Sequence, residues 1–301
     1  MSLRTKMKNI RMPLELNNVQ FLKKKFGCLG TGGRKRVAET VDEEREACKK
    51  RQKLKIDLEG PGDDEVTTLS HIDILKAEYK KGSPDLAMIA RKMERTFAFR
   101  WKKINDPNLS VEDILLDFPA LRERNFLAGE AERHGIFKPL WNTYLKLQTS
   151  LIELMKYAKC RSKNYKRHYS EYQEGMDSTL DEDQRTDFCV RFALQLLPSL
   201  FKENEEYLLV HSQEEIKSPA PVLTFQGGEY QLHINGSSVF SRQNSKFTNA
   251  FECMFQSYFV FSLEYPKPIE KTLLFLESYI FQHNCKLPSS VCTWAKKIGM
   301  A

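Results

Sequence analysis

The sequence contains no apolar run that approaches the roughly eighteen residues needed to cross a membrane. Its N-terminus carries basic residues with no apolar segment after them, so we expect no secretory signal peptide. The seven cysteines, an odd number, include no Cys-x-x-Cys pair. Without a signal peptide, we expect reduced thiols and an intracellular location.

The sequence signatures of common enzymes are also missing. No nucleophile elbow, His-Glu-x-x-His helix or paired-cysteine zinc pattern occurs. The glycine-rich residues 27–33 have no strand before them and no Gly-Lys-Ser/Thr after them, which argues against a phosphate-binding loop. His283 and Cys285 with Cys292 come nearest to a metal set, at irregular spacing. We therefore predict no catalytic residue, no metal and no cofactor.

The composition nevertheless supports a substantial hydrophobic core. The chain of 301 residues is 41% hydrophobic and 11% aromatic, with 19 Phe and 11 Tyr. Wholesale disorder is excluded by this apolar content. The net charge of +7 is unevenly distributed: residues 1–59 hold sixteen Lys/Arg against eight Asp/Glu, and the remaining residues hold 31 against 32. The basic character therefore belongs to the N-terminal arm.

Residues 1–65 are predicted to form a basic, mostly disordered arm and linker. Two clusters separated by twelve residues carry the charge: Arg34, Lys35, Arg36, Lys49, Lys50, Arg51 and Lys53. That spacing suits a two-part nuclear import signal, which predicts a nuclear location and an import carrier as a partner. Two alternative roles for the arm remain open. These cations could contact nucleic acid, or the arm is solvated and has no role. The alternative location is the cytoplasm.

Residues 66–167 are predicted to form a helical domain. Its second helix begins at the capping residue Asp85 and runs to about Asn105, with an apolar stripe at helical spacing: Leu86, Ile89, Met93, Phe97 and Trp101. The other faces carry Arg91, Lys92, Arg95, Arg100, Lys102 and Lys103. We interpret this 91–103 face as solvated, because the chain after residue 60 is not basic overall. Nucleic-acid contact is the alternative.

Residues 184–283 are predicted to form an α+β domain, followed by a tail at 284–301. An apolar helix over 184–197 ends at Pro198, and an Asn235-Gly236 pair between alternating apolar residues predicts a hairpin. Two further apolar helices are predicted over 247–263 and 269–283. We interpret the nearby histidines, His211 and His233, as core or edge residues rather than bases. The fold class is thus α+β and mainly helical, with a helical N-terminal half and a short antiparallel hairpin sheet packed by apolar helices.

Several motifs resemble one known group of proteins. They include Ile89–Phe97 with Arg100, Phe118-Pro119-Ala120-Leu121, Leu208–Val210 followed by Ser218–Leu223, and Tyr258–Phe261 with Tyr265-Pro266. Together with the basic arm, these residues resemble the fish-expanded sterile alpha motif domain-containing protein 3-like group. The resemblance covers about two-thirds of the chain.

The sequence departs from that group at two places. No sterile alpha motif domain is recognisable ahead of residue 60, so the self-association of that domain cannot be carried over. Glu130-Ala131-Glu132-Arg133 stands where the group leads us to expect an apolar residue in a Glu-Phe-x-Arg-like turn. The group implies no established activity, so the resemblance transfers no catalytic residues.

Three functional hypotheses follow from the sequence. The first is a non-enzymatic protein-interaction protein in the nucleus, with protein partners. The second is a nucleic-acid-binding protein, derived from a mobile element, that uses the basic arm and the 91–103 helix. The third is an enzyme whose site has no recognisable signature. We favour the first, because no site chemistry is visible and the positive charge lies in the arm.

Overall fold

The computed structural model describes residues 64–157, 163–176, 181–210, 216, 218–240 and 246–300. These residues belong to one compact unit, Arg45–Ala301. The described α-helices, in chain order, are α1 (Glu65–Tyr79), α2 (Leu86–Arg95), α3 (Phe97–Ile104), α4 (Val111–Asp117), α5 (Arg124–Arg133), α6 (Trp141–Tyr157), α7 (Lys163–Met176), α8 (Glu182–Phe201), α9 (Phe247–Val260), α10 (Glu270–Phe275) and α11 (Ser289–Lys297). Among them, no helix has both the length and the apolar character that a membrane crossing needs.

A small sheet completes the fold and confirms the α+β, mainly helical class. Its strands are β1 (Leu209–Val210), β2 (Val222–Gln226), β3 (Glu229–Ile234) and β4 (Ser237–Ser238), arranged in the order β1-β2-β3-β4. The β2–β3 and β3–β4 pairs are antiparallel, but β1 pairs in parallel with β2. The sheet is therefore mixed, because a longer connection rather than a tight turn joins β1 to β2.

The predicted Asn-Gly hairpin is confirmed. Asn235 and Gly236 have φ angles of 53° and 75°, the left-handed pair that a two-residue turn between twisted strands requires. Gly227 and Gly228 form the β2–β3 turn in the same way, with φ angles of 62° and 85°. Both turns carry residue types that tolerate positive φ at low cost.

Two predicted helix ends and the predicted tail differ from the structure. The α8 helix continues through Pro198 to Phe201, because the proline lies in the last turns and its carbonyl still accepts the Glu203 N–H at 3.0 Å. The helix predicted over 269–283 is instead α10 followed by a π-helix, Leu276–Ile280. The predicted tail contains α11, which buries Val291 and Ala295.

Two carboxylates, Asp187 on α8 and Glu203 just after its end, organise the C-terminal region. Asp187 accepts the N–H groups of Phe247 and Thr248 at 2.8 and 2.9 Å, which caps the start of α9. Glu203 accepts the N–H groups of Lys271 and Thr272 at 2.9 and 2.8 Å, which caps α10. Each carboxylate satisfies N–H groups that have no partner within their own helix. The almost wholly buried α9 is thereby fixed against α8.

One hydrophobic core extends across both predicted domains. The α9 helix packs against α5, and α8 packs against α6, so apolar side chains from 66–167 and from 184–283 belong to the same cluster. The domain boundaries predicted at residues 66–167 and 184–283 stay predictions.

Candidate interaction surface and the charged centre behind it

The helix predicted over residues 85–105 is broken at Thr96, which ends α2 and begins α3. The Thr96 hydroxyl donates to the Lys92 carbonyl at 2.8 Å, inside the turn that ends α2. The Arg100 Nη2 group donates to the Met93 carbonyl at 3.0 Å. Side chains thus satisfy carbonyls near the break, and the prediction of one continuous helix is wrong.

Arg100 is fully buried, with every N–H directed at an acceptor. Its Nε and Nη2 atoms donate to the two Glu130 carboxylate oxygens at 2.8 and 2.6 Å. The Nη1 atom donates to the Thr96 hydroxyl at 2.9 Å and approaches the Met93 sulfur at 3.8 Å. The prediction that Arg100 lies on a solvated or nucleic-acid-binding face is therefore wrong, because its guanidinium donates to acceptors inside the protein.

Glu130 is equally buried and is held ionised by its neighbours. Burial alone would raise the pKa of the Glu130 carboxyl, but the charge and hydrogen bonds of Arg100, with Arg133 also nearby, bring that pKa below its ordinary value. Arg133 Nη1 donates to Glu130 at 2.9 Å from the next turn of α5. The pair Arg100–Glu130 therefore joins α3 to α5 through a two-pronged, charge-assisted contact.

His134 follows at the end of α5 as a buried, uncharged ring. It lies 4.8 Å from the Trp101 ring and 6.1 Å from the Phe97 ring, between centroids. Among the described residues, neither of its ring nitrogens has a hydrogen-bond partner. Burial lowers the pKa of His134 to about 4; Glu130 opposes this shift, and Arg100 and Arg133 add to it. The ring therefore packs as a neutral aromatic group.

After His134, the chain turns at Gly135, in the left-handed conformation, and runs to the surface. Gly135 has φ +78°, its N–H donates to the Glu132 carbonyl at 2.9 Å, and the Ile136 N–H donates to the Ala131 carbonyl at 3.0 Å. This pair of bonds is the Schellman motif that commonly ends a helix. Ile136 is fully buried, so the turn is anchored in the core.

Three large apolar side chains are exposed immediately after that anchor. Phe137, Leu140 and Trp141 retain 60%, 68% and 45% of their accessible surface, and we call them the Phe137–Trp141 surface. Lys138, between them, reaches back to within 3.8 Å of the buried carboxylate of Glu252 on α9. The buried Ile136 and the start of α6 hold the two ends of this loop, while its apolar groups face the solvent.

Other cations of the 91–103 face are engaged with neighbouring helices. Lys92 Nζ lies 3.0 Å from His71 Nδ1. Asp117 pairs with both Lys103 and Lys76, and although burial opposes the shift, these two cations lower the pKa of its carboxyl. The seven arm residues proposed for import or nucleic-acid contact lie outside the described residues, as does His211.

Two further histidines lie in structural pairs. His233 is buried in β3, 3.1 Å from the Thr224 hydroxyl, and burial lowers its pKa while a backbone hydrogen bond at Gly236 opposes the shift. His283 Nδ1 lies 2.7 Å from Glu277, and the His283 N–H donates to the Glu277 carbonyl at 2.9 Å. This second pair closes the turn after the π-helix.

No metal cluster occurs among the described residues. No three His, Cys, Asp or Glu side chains lie together as a metal site would require. A cleft of about 190 Å³ lies between the start of α4 and the β3–β4 hairpin, lined by Ser110, Leu115 and Asn235 among others. It is smaller than the roughly 300–1,000 Å³ usual for small-molecule sites.

Comparison with known proteins identifies the region that contains Arg100. Residues 69–123 match the family model described as sterile alpha motif domain-containing protein 3, helical domain. The match confirms the resemblance carried by Ile89–Phe97 with Arg100 and by Phe118–Leu121, and extends it to α1. Glu130 and the Phe137–Trp141 surface lie beyond the matched residues. No curated protein and no solved structure gives a significant match.

Proposed function

We propose that this protein is a non-enzymatic protein-interaction protein and that it binds a partner through the Phe137–Trp141 surface. The observation that carries the proposal is the exposure of three large apolar side chains within five residues of a loop that is anchored on both sides. Single exposed apolar residues are ordinary, but a group of them commonly marks an interaction site. Tryptophan in particular contributes strongly to binding at protein interfaces.

The anchoring of the loop at both ends supports the same function. Ile136 anchors one side in the core, and Trp141 lies on the first turn of α6, with its ring 6.0 Å from the ring of the buried Tyr144. Binding through a fixed surface loses less conformational entropy than binding through a flexible loop. The Phe137–Trp141 surface is therefore suited to hold a partner without rearrangement.

The test is the double substitution Leu140→Ser with Trp141→Ser. We expect it to remove most partners that co-purify with the tagged full-length protein, measured by quantitative mass spectrometry, because it removes two apolar anchors. The matched control is Leu116→Ser, which removes an exposed leucine (63% exposed) from α4. Equal partner sets for wild type and the double variant would contradict the proposal, provided that all three proteins melt at the same temperature.

We further propose that the protein acts in the nucleus, on the basis of the two basic clusters in the arm. Changing Lys49, Lys50, Arg51 and Lys53 to Ala is expected to shift a tagged protein from the nucleus to the cytoplasm in fluorescence images. The control removes the same charge from exposed positions elsewhere: Lys80, Lys267, Lys286 and Lys296 to Ala. An unchanged distribution in the arm variant would exclude the import signal.

A further inference from the structure

Serine is followed by proline at two places in the chain, Ser83-Pro84 and Ser218-Pro219, and threonine is followed by proline at none. Ser-Pro is the minimal sequence that proline-directed protein kinases accept. The proline ring disfavours the helical conformation at the residue before it, so the serine is presented in an extended segment. A kinase also needs that segment free of other contacts, because the substrate chain lies along the cleft of the enzyme. The two serines can therefore be compared by their surroundings.

Ser83 lies in the turn between α1 and α2. The first helix ends at Tyr79 and the second begins at Leu86, so residues 80–85 connect them. All residues of this turn are exposed except Pro84, which is half-buried. In the described part of the chain, no hydrogen bond engages Ser83. Exposed loop tips with small, polar residues are the segments of a folded protein that enzymes reach most readily.

The second Ser-Pro pair is held against the sheet. Ser218 is half-buried, and its hydroxyl accepts the Ala220 N–H at 3.1 Å. The Pro219 carbonyl accepts the Asn235 N–H of the β3–β4 turn at 2.8 Å, and Ala220 is buried just before β2. A kinase can bind this segment only after local unfolding has broken these contacts.

We propose that Ser83 is a phosphorylation site for a proline-directed kinase, and that the fold protects Ser218 from the same enzyme. The proposal is independent of the Phe137–Trp141 surface. In the reaction, the Ser83 hydroxyl oxygen attacks the γ-phosphorus of Mg-ATP, the bond from that phosphorus to the bridging oxygen breaks, and ADP leaves with the electron pair. The hydroxyl proton passes to the catalytic carboxylate of the kinase.

The phosphate changes the charge of the α1–α2 turn. From residue 78 to residue 85, the charged residues are Glu78, Lys80, Lys81 and Asp85, which sum to zero. A phosphoserine adds about −1.5 to −2 charges at pH 7. Lys80 and Lys81 are exposed ammonium groups close to it in the chain, although Lys81 already donates to Glu78. Phosphorylation therefore converts a neutral turn, within the residues that match the helical domain, into an anionic one.

The experiment incubates the folded full-length protein with Mg-ATP and a purified proline-directed kinase of the mitogen-activated class. Mass spectrometry of tryptic peptides follows the phosphate on each serine. We expect Ser83 to react at least about tenfold faster than Ser218, because only Ser218 requires local unfolding. Ser83→Ala is expected to remove the main signal, and the matched variant Ser218→Ala to retain it. Pro84→Ala keeps the Ser83 hydroxyl and is expected to react slowly, which separates proline-directed recognition from exposure alone.

Two synthetic peptides, with the sequences of residues 78–88 and 213–223, control for the preference of the kinase itself. The preference for Ser83 is expected to be much larger in the folded protein than between the peptides. An equal preference in protein and peptides, or a Ser83 that stays unmodified in either, would overturn the proposal. A Pro84→Ala variant that reacts at the wild-type rate would overturn it as well. Circular dichroism verifies that every variant is folded.

Discussion

Replacing Glu130 by Gln is expected to lower the free energy of unfolding by about 3–5 kcal/mol, the usual cost of breaking one partner of a buried ion pair. The substitution leaves the Arg100 guanidinium fully buried and without its counter-charge. It also replaces a two-oxygen acceptor by an amide that offers one oxygen, so one of the two Arg100 donors loses its bond. Urea denaturation of wild type and variant measures the difference.

Glu252 supplies a control of the same residue type and similar burial. Burial raises the pKa of the Glu252 carboxyl, and Lys138 and Arg124 offset this only in part. Its charged form is therefore a cost in the folded state, and Glu252→Gln is expected to change stability by less than about 1 kcal/mol or to stabilise the protein. Equal losses in the two variants would show that amide substitution, rather than the lost counter-charge, destabilises the protein.

Arg100 and Glu130 share the helical spacing of their buried neighbours, a pattern that interpretation by charge alone missed. Buried positions of α2 and α3 recur at Ile89, Met93, Thr96, Arg100 and Ile104. Those of α5 recur at Leu127, Glu130, Ala131 and His134. Each charged residue thus falls at helical spacing within an apolar stripe. Opposite charges on two such stripes indicate a buried pair. The predicted apolar stripe, by contrast, began at Leu86, a residue that is 60% exposed.

Patterns within a short stretch of sequence predicted the elements that depend only on residues within that stretch. The Asn235-Gly236 turn and the buried α9 helix depend on residue type and on apolar density, which the sequence displays directly. The parallel pairing of β1 depends on a strand outside its own segment, with Leu223 opposite Leu209. The break at Thr96 depends on side-chain hydrogen bonds to the Lys92 and Met93 carbonyls, which apolar periodicity does not display. The Phe137–Trp141 surface was missed because Phe137 and Leu140 lie in a short loop, where apolar residues have no periodicity, and because Trp141 fits the apolar stripe of α6 although it is 45% exposed.

Acid is expected to destabilise the protein through His134. An unfolded histidine titrates near 6.5, whereas burial lowers the pKa of folded His134 to about 4. Between these values the unfolded chain binds the proton and the folded protein does not, so stability falls as pH falls. The difference of about 2.5 pH units corresponds to about 3 kcal/mol, lost progressively from pH 6.5 to pH 4.

His134→Phe isolates this contribution, because it keeps a flat ring against Trp101 and Phe97 but cannot bind a proton. It also removes two buried nitrogens that have no hydrogen-bond partner among the described residues, so the variant is expected to match or exceed wild-type stability at pH 7. Both proteins are denatured with urea at intervals from pH 7 to pH 4. Because they share the same carboxylates, the contribution of those groups to the pH dependence of stability cancels in the difference. The stability difference between variant and wild type should therefore grow by about 3 kcal/mol as pH falls to 4. A difference that stays constant over that range would mean that folded His134 accepts a proton as readily as the unfolded chain does, and that its ring is reached by water rather than sealed between α3 and α5.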